Sequence, residues 1–295
     1  MGGPPPSPLV IAHPRRRREA RRLFDLMREL SPGADLLLPE SLVELAERVR
    51  QSAGLHQTLI VLGGDGTVNR VLNSMDPARQ VLCPLPFGSG NDLSSALGWT
   101  GRGLYDPGLW AGVRERTIDL ATAASHRFHN SGGLGIDSAT LALRRRVPRL
   151  LERSYTTIFL LTVAGLRPLR GTIRVDGSEV LAGAFFWVLA MNSNRIGGGL
   201  RVTPEAELDD GRLDFLVIEA RGKLRLLYCF PRVLTASHLA LREVHLFRGK
   251  RLELSSKDPL PPLALDGELY PLDEKGIKLE VVPGGLPVLV PPPLS

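Results

Sequence analysis

Two short glycine-rich segments hold the residue types that bind phosphate. Gly63-Gly64-Asp65-Gly66-Thr67 follows the apolar run 58–62, and Gly88-Ser89-Gly90-Asn91-Asp92 follows the apolar run 81–85. Each passes into a helical pattern, the first through Val68 and Asn69 and the second through Leu93, so backbone N–H groups at a helix N-terminus can face an anion. Glycine there permits positive φ and close backbone approach. Thr67 offers a hydroxyl, and Asp65 is a carboxylate that bare phosphate repels unless Mg²⁺ lies between them. A plain glycine turn is the competing reading of either loop alone, but two loops on successive apolar runs can clamp one polyphosphate from two sides. The first loop has neither the lysine of a P-loop nor the glycine spacing of a dinucleotide fold.

Other acids further along the chain are Asp119, Asp210 and Glu268. Transfer of a phosphoryl group needs positioning and charge neutralisation more than covalent catalysis, and an alcohol nucleophile profits from a carboxylate within hydrogen-bond reach. By composition alone, Asp210-Gly211 and Asp266-Gly267 read equally well as hairpin turns, and Asp119 as a surface or capping residue.

The elements that must position these residues alternate in type over the first third of the chain. Residues 8–12 read as a strand, 17–30 as a helix with Ala20, Leu23, Phe24, Met27 and Leu30 on one face, and 36–38 as a second strand. Ser41 with Glu44 forms a capping box for a helix whose inner stripe is Leu42, Leu45, Ala46 and Val49. Alternation of this kind predicts a layered α/β domain with a largely parallel sheet. From about Ile118 the texture changes to strand-like runs at 127–132, 172–175, 184–192, 213–219, 243–248, 251–255, 263–265 and 277–282, with one Arg-rich helical segment at 139–153. That texture predicts a second, mainly antiparallel, sandwich-like domain. The boundaries expected are 1–120 for the first domain, with 285–295 returning to it as a strand over 287–290, and 121–284 for the second.

The order of motifs carries a resemblance. GGDGTVN at 63–69, PFGSGNDL at 86–93, Ile118-Asp119-Leu120, FHNSGGLGID at 128–137, GGGLRVTPEAELDDGRLD at 197–214 and LDGE at 265–268 together resemble the diacylglycerol kinase catalytic-domain family, which includes sphingosine and ceramide kinases and bacterial lipid kinases. NAD kinases share the first loop but not the second. The resemblance implies a three-layer α/β nucleotide domain of NAD kinase and diacylglycerol kinase type, followed by a β-rich sandwich-like domain. It implies ATP and Mg²⁺ as cofactors, with Gly63, Gly64, Asp65, Gly66, Thr67, Val68, Asn69, Ser89, Gly90, Asn91 and Asp92 lining the nucleotide. The metal is expected beside Asp210, held through the backbone carbonyls of Glu207 and Arg212, with Asp119 in the surrounding network. Glu268 is the implied proton acceptor and Asp65 its catalytic companion. Diacylglycerol is the first-choice substrate, giving phosphatidic acid. A kinase of another alcohol (a sphingoid base, phosphatidylglycerol or NAD) and a non-catalytic lipid- or nucleotide-binding protein of the same fold are the alternatives. His13-Pro14 stands where the family has Asn-Pro, Leu38-Pro39 where a polar Thr is expected, and Arg70 where a Glu is usual.

Composition narrows the partners. The chain has 295 residues, of which 43% are hydrophobic and 23% charged, so it can bury a sizeable core. A formal charge of +6 favours anions, while only 5% aromatic residues and no zinc-ligand or RNA-binding signature argue against nucleic acid. Cys83 and Cys229 are too few and too distant for a disulfide framework, which suits a reducing cytoplasm. The longest apolar run, 158–166, falls short of a spanning helix. The expectation is a soluble cytoplasmic protein that meets its lipid peripherally at a membrane surface, with Arg144, Arg145, Arg146, Arg149 and Arg153 on a basic amphipathic helix as one means of contact. A homodimer stays open.

Overall fold

A computed structural model describes residues 3–147 and 155–293, and its contacts divide the chain into Met1–Leu120 with Pro283–Ser295 and, separately, Ala121–Val282. In the first unit, β1 (Pro8–Ala12), α1 (Arg17–Leu30), β2 (Asp35–Leu37), α2 (Leu42–Ser52), β3 (Thr58–Gly63), α3 (Asp65–Leu72), β4 (Val81–Pro86), α4 (Asp92–Ala96) and α5 (Pro107–Ala111) follow in order, and β5 (Arg114–Ala123) leads out of it. The strands run β2-β1-β3-β4, every pairing parallel, and the last segment of the chain joins them where Val288 pairs with Leu82. β1 and β3 are buried at every position. Such unbroken apolar runs are what a parallel sheet covered on both faces requires.

Side chains explain the boundaries. α1 buries Ala20, Leu23 and Met27, leaving Phe24 and Leu30 half-buried at the edges of that stripe. Ser41 Oγ accepts the N–H of Glu44, but the Glu44 carboxylate reaches past Ser41 to accept the N–H of Glu40. Leu42, expected on the inner stripe, is half-exposed. β2 begins one residue earlier than expected, at Asp35, and stops before Leu38-Pro39, since a proline cannot donate to the ladder.

The second unit holds β6 (His126–Phe128), β7 (Ser131–Gly135), α6 (Ile136–Arg144), α7 (Tyr155–Gly165), β8 (Leu169–Val175), β9 (Ser178–Met191), β10 (Leu213–Glu219), α8 (Lys223–Cys229), β11 (Val244–Gly249), β12 (Arg251–Ser256), β13 (Leu263–Leu265), β14 (Glu268–Tyr270) and the first part of β15 (Gly276–Val290). β9 organises it. Its first half pairs antiparallel with β8, and its second half lies between β7 and β10. Along β10, Leu213, Phe215 and Val217 enter one core while Leu216 and Ile218 enter another, which is the period-two pattern of a strand buried on both faces. β9 keeps that alternation except at Phe186 and Trp187, which share a face. The register with β10 slips there, between Ile218 and Glu219, as a β-bulge demands.

Three expectations change. Residues 127–132 do not form one strand: β6 stops at Phe128 and β7 starts at Ser131, because the intervening N–H groups turn to a carboxylate described below. The apolar run 158–166 belongs largely to a helix, α7, and α8 is a second helix in a stretch read as strand-rich. Of the Arg-rich segment, α6 accounts for the part to Arg144, while Arg149, Leu150, Leu151 and Arg153 lie outside the described residues. Among the described residues no helix is long and apolar enough to cross a membrane. Cys83 and Cys229 are both free and buried.

Asp137, in the first turn of α6, is a half-buried acid whose carboxyl is pushed up to about 7 by the loss of water around it; the nearby indole of Trp187 opposes the rise without being aligned for a hydrogen bond. Between its ordinary value of 3.8 and 7, the folded chain keeps a proton that the unfolded chain has released, so this group lowers stability as pH rises through that window. Asp137→Asn is expected to change stability little near pH 4 and to raise it, relative to the parent, by roughly 1 kcal/mol per unit between about pH 5 and 7. Urea midpoints across that range check the sign.

Candidate functional site: a double phosphate loop and a hairpin carboxylate

β3 and β4 are adjacent and in register from Thr58↔Val81 to Gly63↔Pro86, so both glycine loops leave the same edge of the sheet. Gly64 caps α3 in extended conformation, and its carbonyl accepts the N–H groups of Thr67 and Val68 at 2.9 and 3.1 Å. The second loop is closed by Asn91, whose Oδ1 accepts the N–H of Gly88 at 2.7 Å while its Nδ2 donates to the Gly88 carbonyl at 3.0 Å. Asn91 is left-handed, with φ 58°, and it precedes α4 as N-cap. The glycines of the two loops were expected to supply positive φ as well as close approach. None of Gly63, Gly64, Gly66, Gly88 or Gly90 has positive φ.

What these glycines supply is room. A Cβ on Gly88 would overlap the Cα of Gly64, one on Gly63 would come within 2.6 Å of the Thr67 Cβ, and one on Gly90 within 2.5 Å of Asp65 Oδ2. The loops touch backbone to backbone, and the carboxylate of Asp65 fastens them: Oδ2 accepts the N–H of Asn91 and Oδ1 that of Asp92, each at 2.9 Å. Asp65, expected as a catalytic acid, is built as the residue that positions the second loop. Val68 and Asn69 are buried in the domain, and Asp92 is nearly so. The surface left for an anion is therefore Gly64 to Thr67 and Gly88 to Asn91, with Ser89 exposed at the tip. Beside it, Arg16 lies 5.7 Å from the Phe87 ring centre and also pairs with Glu19 at 3.1 Å. The Arg15 to Arg18 cluster thus brings one guanidinium next to the second loop, a pairing across 71 residues that no local spacing could reveal. His13 takes a local role, its Nδ1 accepting the N–H of Arg15. Asp119, expected in a metal network, is buried and accepts the N–H of Gly284 at 2.8 Å, fixing the chain as it re-enters the first unit.

In the second unit, Asp266 and Gly267 form the two-residue turn between β13 and β14, with φ of 47° and 83°. Read as a turn from composition, Asp266 does more. Its buried carboxylate accepts the N–H groups of His129, Asn130 and Ser131 at 2.9, 2.9 and 3.0 Å, which is what parts β6 from β7. His129 Nε2 stands 3.4 Å from the same carboxylate without hydrogen-bond alignment. That anchored corner sets the hairpin, and Glu268 follows at the start of β14, partly exposed, with Arg145 Nη2 donating to its Oε2 at 3.1 Å.

Asp210 closes its own turn by accepting the N–H of Arg212 at 2.9 Å, and Gly211 beside it has φ 72°. Its other oxygen faces Arg248 at 3.9 Å, and Arg248 lies 3.4 Å from Asp214 and donates to the Glu205 carbonyl at 2.7 Å. Burial pushes the Asp214 carboxyl up, and Arg248 opposes that rise. Glu207 and Arg212 are exposed. Among the described residues no three His, Cys, Asp or Glu side chains gather as a metal centre. The Mg²⁺ expected beside Asp210, on the backbone carbonyls of Glu207 and Arg212, would meet a carboxylate whose Oδ1 already accepts the Arg212 N–H and whose Oδ2 has the Arg248 guanidinium 3.9 Å away.

The geometry can thus hold a polyphosphate on the first unit and presents an arginine-tethered carboxylate on the second. Comparison with known proteins agrees in kind. Residues 13–123 match the family model "Diacylglycerol kinase catalytic domain", and residues 131–290 match "YegS C-terminal NAD kinase beta sandwich-like domain". A "Probable lipid kinase YegS-like" protein of Shewanella frigidimarina is 27% identical over 250 residues, covering 79% of this chain and 76% of its own length. A diacylglycerol kinase of Mycobacterium tuberculosis is 29% identical over 245 residues, with the same coverage of 79% and 76%. Among solved structures, a diacylglycerol kinase of Bacillus anthracis superposes with a TM-score of 0.73 at 18% identity, covering 97% of each chain.

The close approach of the loops makes a specific demand. Gly88→Ala is expected to destabilise the first unit by about 1 to 3 kcal/mol through overpacking and to weaken ATP binding at least tenfold, as read by thermal melts and calorimetry. Gly101→Ala, with nothing within 4 Å of the new methyl group, serves as the neutral control.

Proposed function

The chain belongs to the YegS-type lipid kinases built on a diacylglycerol kinase catalytic domain, and on that footing we propose that it transfers the γ-phosphoryl group of ATP to the hydroxyl of diacylglycerol, giving phosphatidic acid and ADP. The observation that carries the ATP half is the double loop: two glycine turns packed backbone to backbone and fastened through Asp65. Such a cradle offers N–H groups to phosphate oxygens, with the Asp65 carboxylate turned to the N–H groups of Asn91 and Asp92. Arg16, next to Phe87, adds positive charge beside it. Diacylglycerol is favoured because relatives from Mycobacterium tuberculosis and Bacillus subtilis carry the name diacylglycerol kinase.

In the proposed reaction the lipid oxygen attacks the γ-phosphorus, the bond from that phosphorus to the β,γ-bridging oxygen breaks, and ADP leaves. The hydroxyl proton passes to Glu268. Arg145, bonded to one oxygen of that carboxylate, fixes its orientation and leaves Oε1 for the proton. Asp65 acts at one remove, holding the second loop so that both sets of N–H groups address the same phosphates.

The purified chain, given labelled ATP with Mg²⁺ and vesicles of several lipid classes, is expected to label diacylglycerol most; labelling of another lipid alone would reassign the substrate. Glu268→Gln should lower kcat by about 10²-fold or more while ATP affinity holds, since a positioned base contributes about 10² to 10⁴. Full activity in that variant removes Glu268 from the base role.

A further inference from the structure

The second unit exposes an apolar surface that its own packing leaves uncovered. α7 has the sequence YTTIFLLTVAG, with no charged residue. Ile158, Phe159, Thr162 and Val163 point into the core, and the opposite face, Leu160, Leu161, Ala164 and Gly165, points to solvent and is equally apolar. A helix that is apolar all round is ordinarily covered all round. α8 adjoins it: Lys223 Nζ donates to the Ala164 carbonyl, and the rings of Phe159 and Phe230 stack with centroids 3.7 Å apart. On α8 and the turn after it Leu224 is 82% exposed, Tyr228 54% and Leu234 68%, and on α7 Leu160 is 49% exposed and Leu161 46%.

The rim is cationic. Between residues 219 and 243 stand Arg221, Lys223, Arg225, Arg232 and Arg242 against Glu219 and Glu243, a net of +3. Two of these cations pair with the acids, Arg221 with Glu219 at 2.8 Å and Arg225 with the buried Glu243 at 3.6 Å, while His245 meets Glu219 at 2.6 Å, so the net positive charge is that of Lys223, Arg232 and Arg242. Arg232 lies over the Tyr228 ring at 3.3 Å and donates to the Tyr228 carbonyl. Leucines between long cationic side chains, with a tyrosine at the margin, have the composition of a face that enters the headgroup layer while its cations meet lipid phosphates.

We propose that the exposed face of α7, α8 and the turn through Leu234 is a docking surface for an anionic lipid bilayer. The proposal rests on the lipid kinase reading in that it supplies the means by which such an enzyme reaches a substrate dissolved in a membrane. It moves the contact away from the α6 arginines, since Arg145 is tied to Glu268. A second copy of the chain is a poorer occupant: an isologous contact would set this cationic rim against itself, whereas an anionic surface neutralises it.

The test compares the full chain with a Leu224→Asp, Leu234→Asp double variant, using Leu55→Asp as the control, an exposed leucine on the other unit. Sedimentation with phosphatidylcholine vesicles, with and without phosphatidylglycerol, should show that the parent and control prefer the anionic vesicles, less so at high salt, and that the double variant binds at least about tenfold more weakly. Thermal melts should be unchanged, because both side chains are exposed; a milder Leu224→Ser, Leu234→Ser pair gives the same reading if the aspartates lower the melting temperature. Undiminished vesicle binding in the variants overturns the proposal. So does a parent dimer that they dissociate with vesicle binding intact, which assigns the face to a second copy. Phosphorylation of a water-soluble short-chain diacylglycerol separates the two readings: parent and double variant should work equally on it. Failure of the parent on every lipid, with vesicle binding still lost in the variant, overturns the kinase assignment and leaves the docking surface standing.

Discussion

Asp65 spans two loops with one carboxylate. Each oxygen accepts a backbone N–H from the second loop, and charge-assisted bonds of this kind contribute about 1.5 to 3 kcal/mol each. For that reach to close, the loops must touch at Gly64 and Gly88, and Gly90 must leave space against Oδ2. The touching in turn needs β3 and β4 adjacent, parallel and in register to their last residues. Sheet order, glycine placement and the position of the acid are therefore one constraint. The phosphate surface is its result, because two turns fixed to each other can hold their N–H groups at set places before any ligand arrives.

The same device recurs where no phosphate is expected. Asp266 gathers three N–H groups from 129–131, Asp119 takes that of Gly284, and Asp176 takes those of Lys250 and Arg251. At Asp266 and Asp176 the carboxylate satisfies backbone donors between two strands, and at Asp119 it satisfies one within β15; in all three the fold depends on a side chain distant in sequence. These acids lie among residues that look alike on paper. Among the acids of the hairpin motifs, Glu268 is held through a side chain, Arg145, while Asp210 is held by the Arg212 N–H with Arg248 beside it.

That division explains what the sequence could and could not convey. The parallel strands were legible because runs such as 58–62 are apolar throughout, and the loops because glycine and Asn91 are rare together except at turns. Their purpose was half legible: glycine serves positive φ and close approach alike, and only the Gly64 to Gly88 contact decides between them. The break between β6 and β7 was invisible, since its cause at Asp266 lies 136 residues from Asn130. α7 was noticed as an apolar run yet not as a helix, because a segment apolar on both faces has no period to read. The approach of Arg248 to Asp210 was equally out of sight, since it comes from 38 residues away.

The two arginine pairs carry the argument one step further. A carboxylate that must accept a proton has to be ionised, oriented and still open on one oxygen. Arg145 meets the second condition for Glu268 from a solvent-exposed helix end, and it contacts Oε2 alone, which satisfies the third. Asp210 is held the other way round: its Oδ1 is bonded to the Arg212 N–H, and Arg248 stands 3.9 Å from Oδ2, an ionic contact beyond hydrogen-bond length. Glu268 and Asp210 are thus each held through one oxygen but by different means, a guanidinium for the first and the chain's own backbone for the second, and the base role proposed for Glu268 draws on a hairpin that Asp266 anchors from behind.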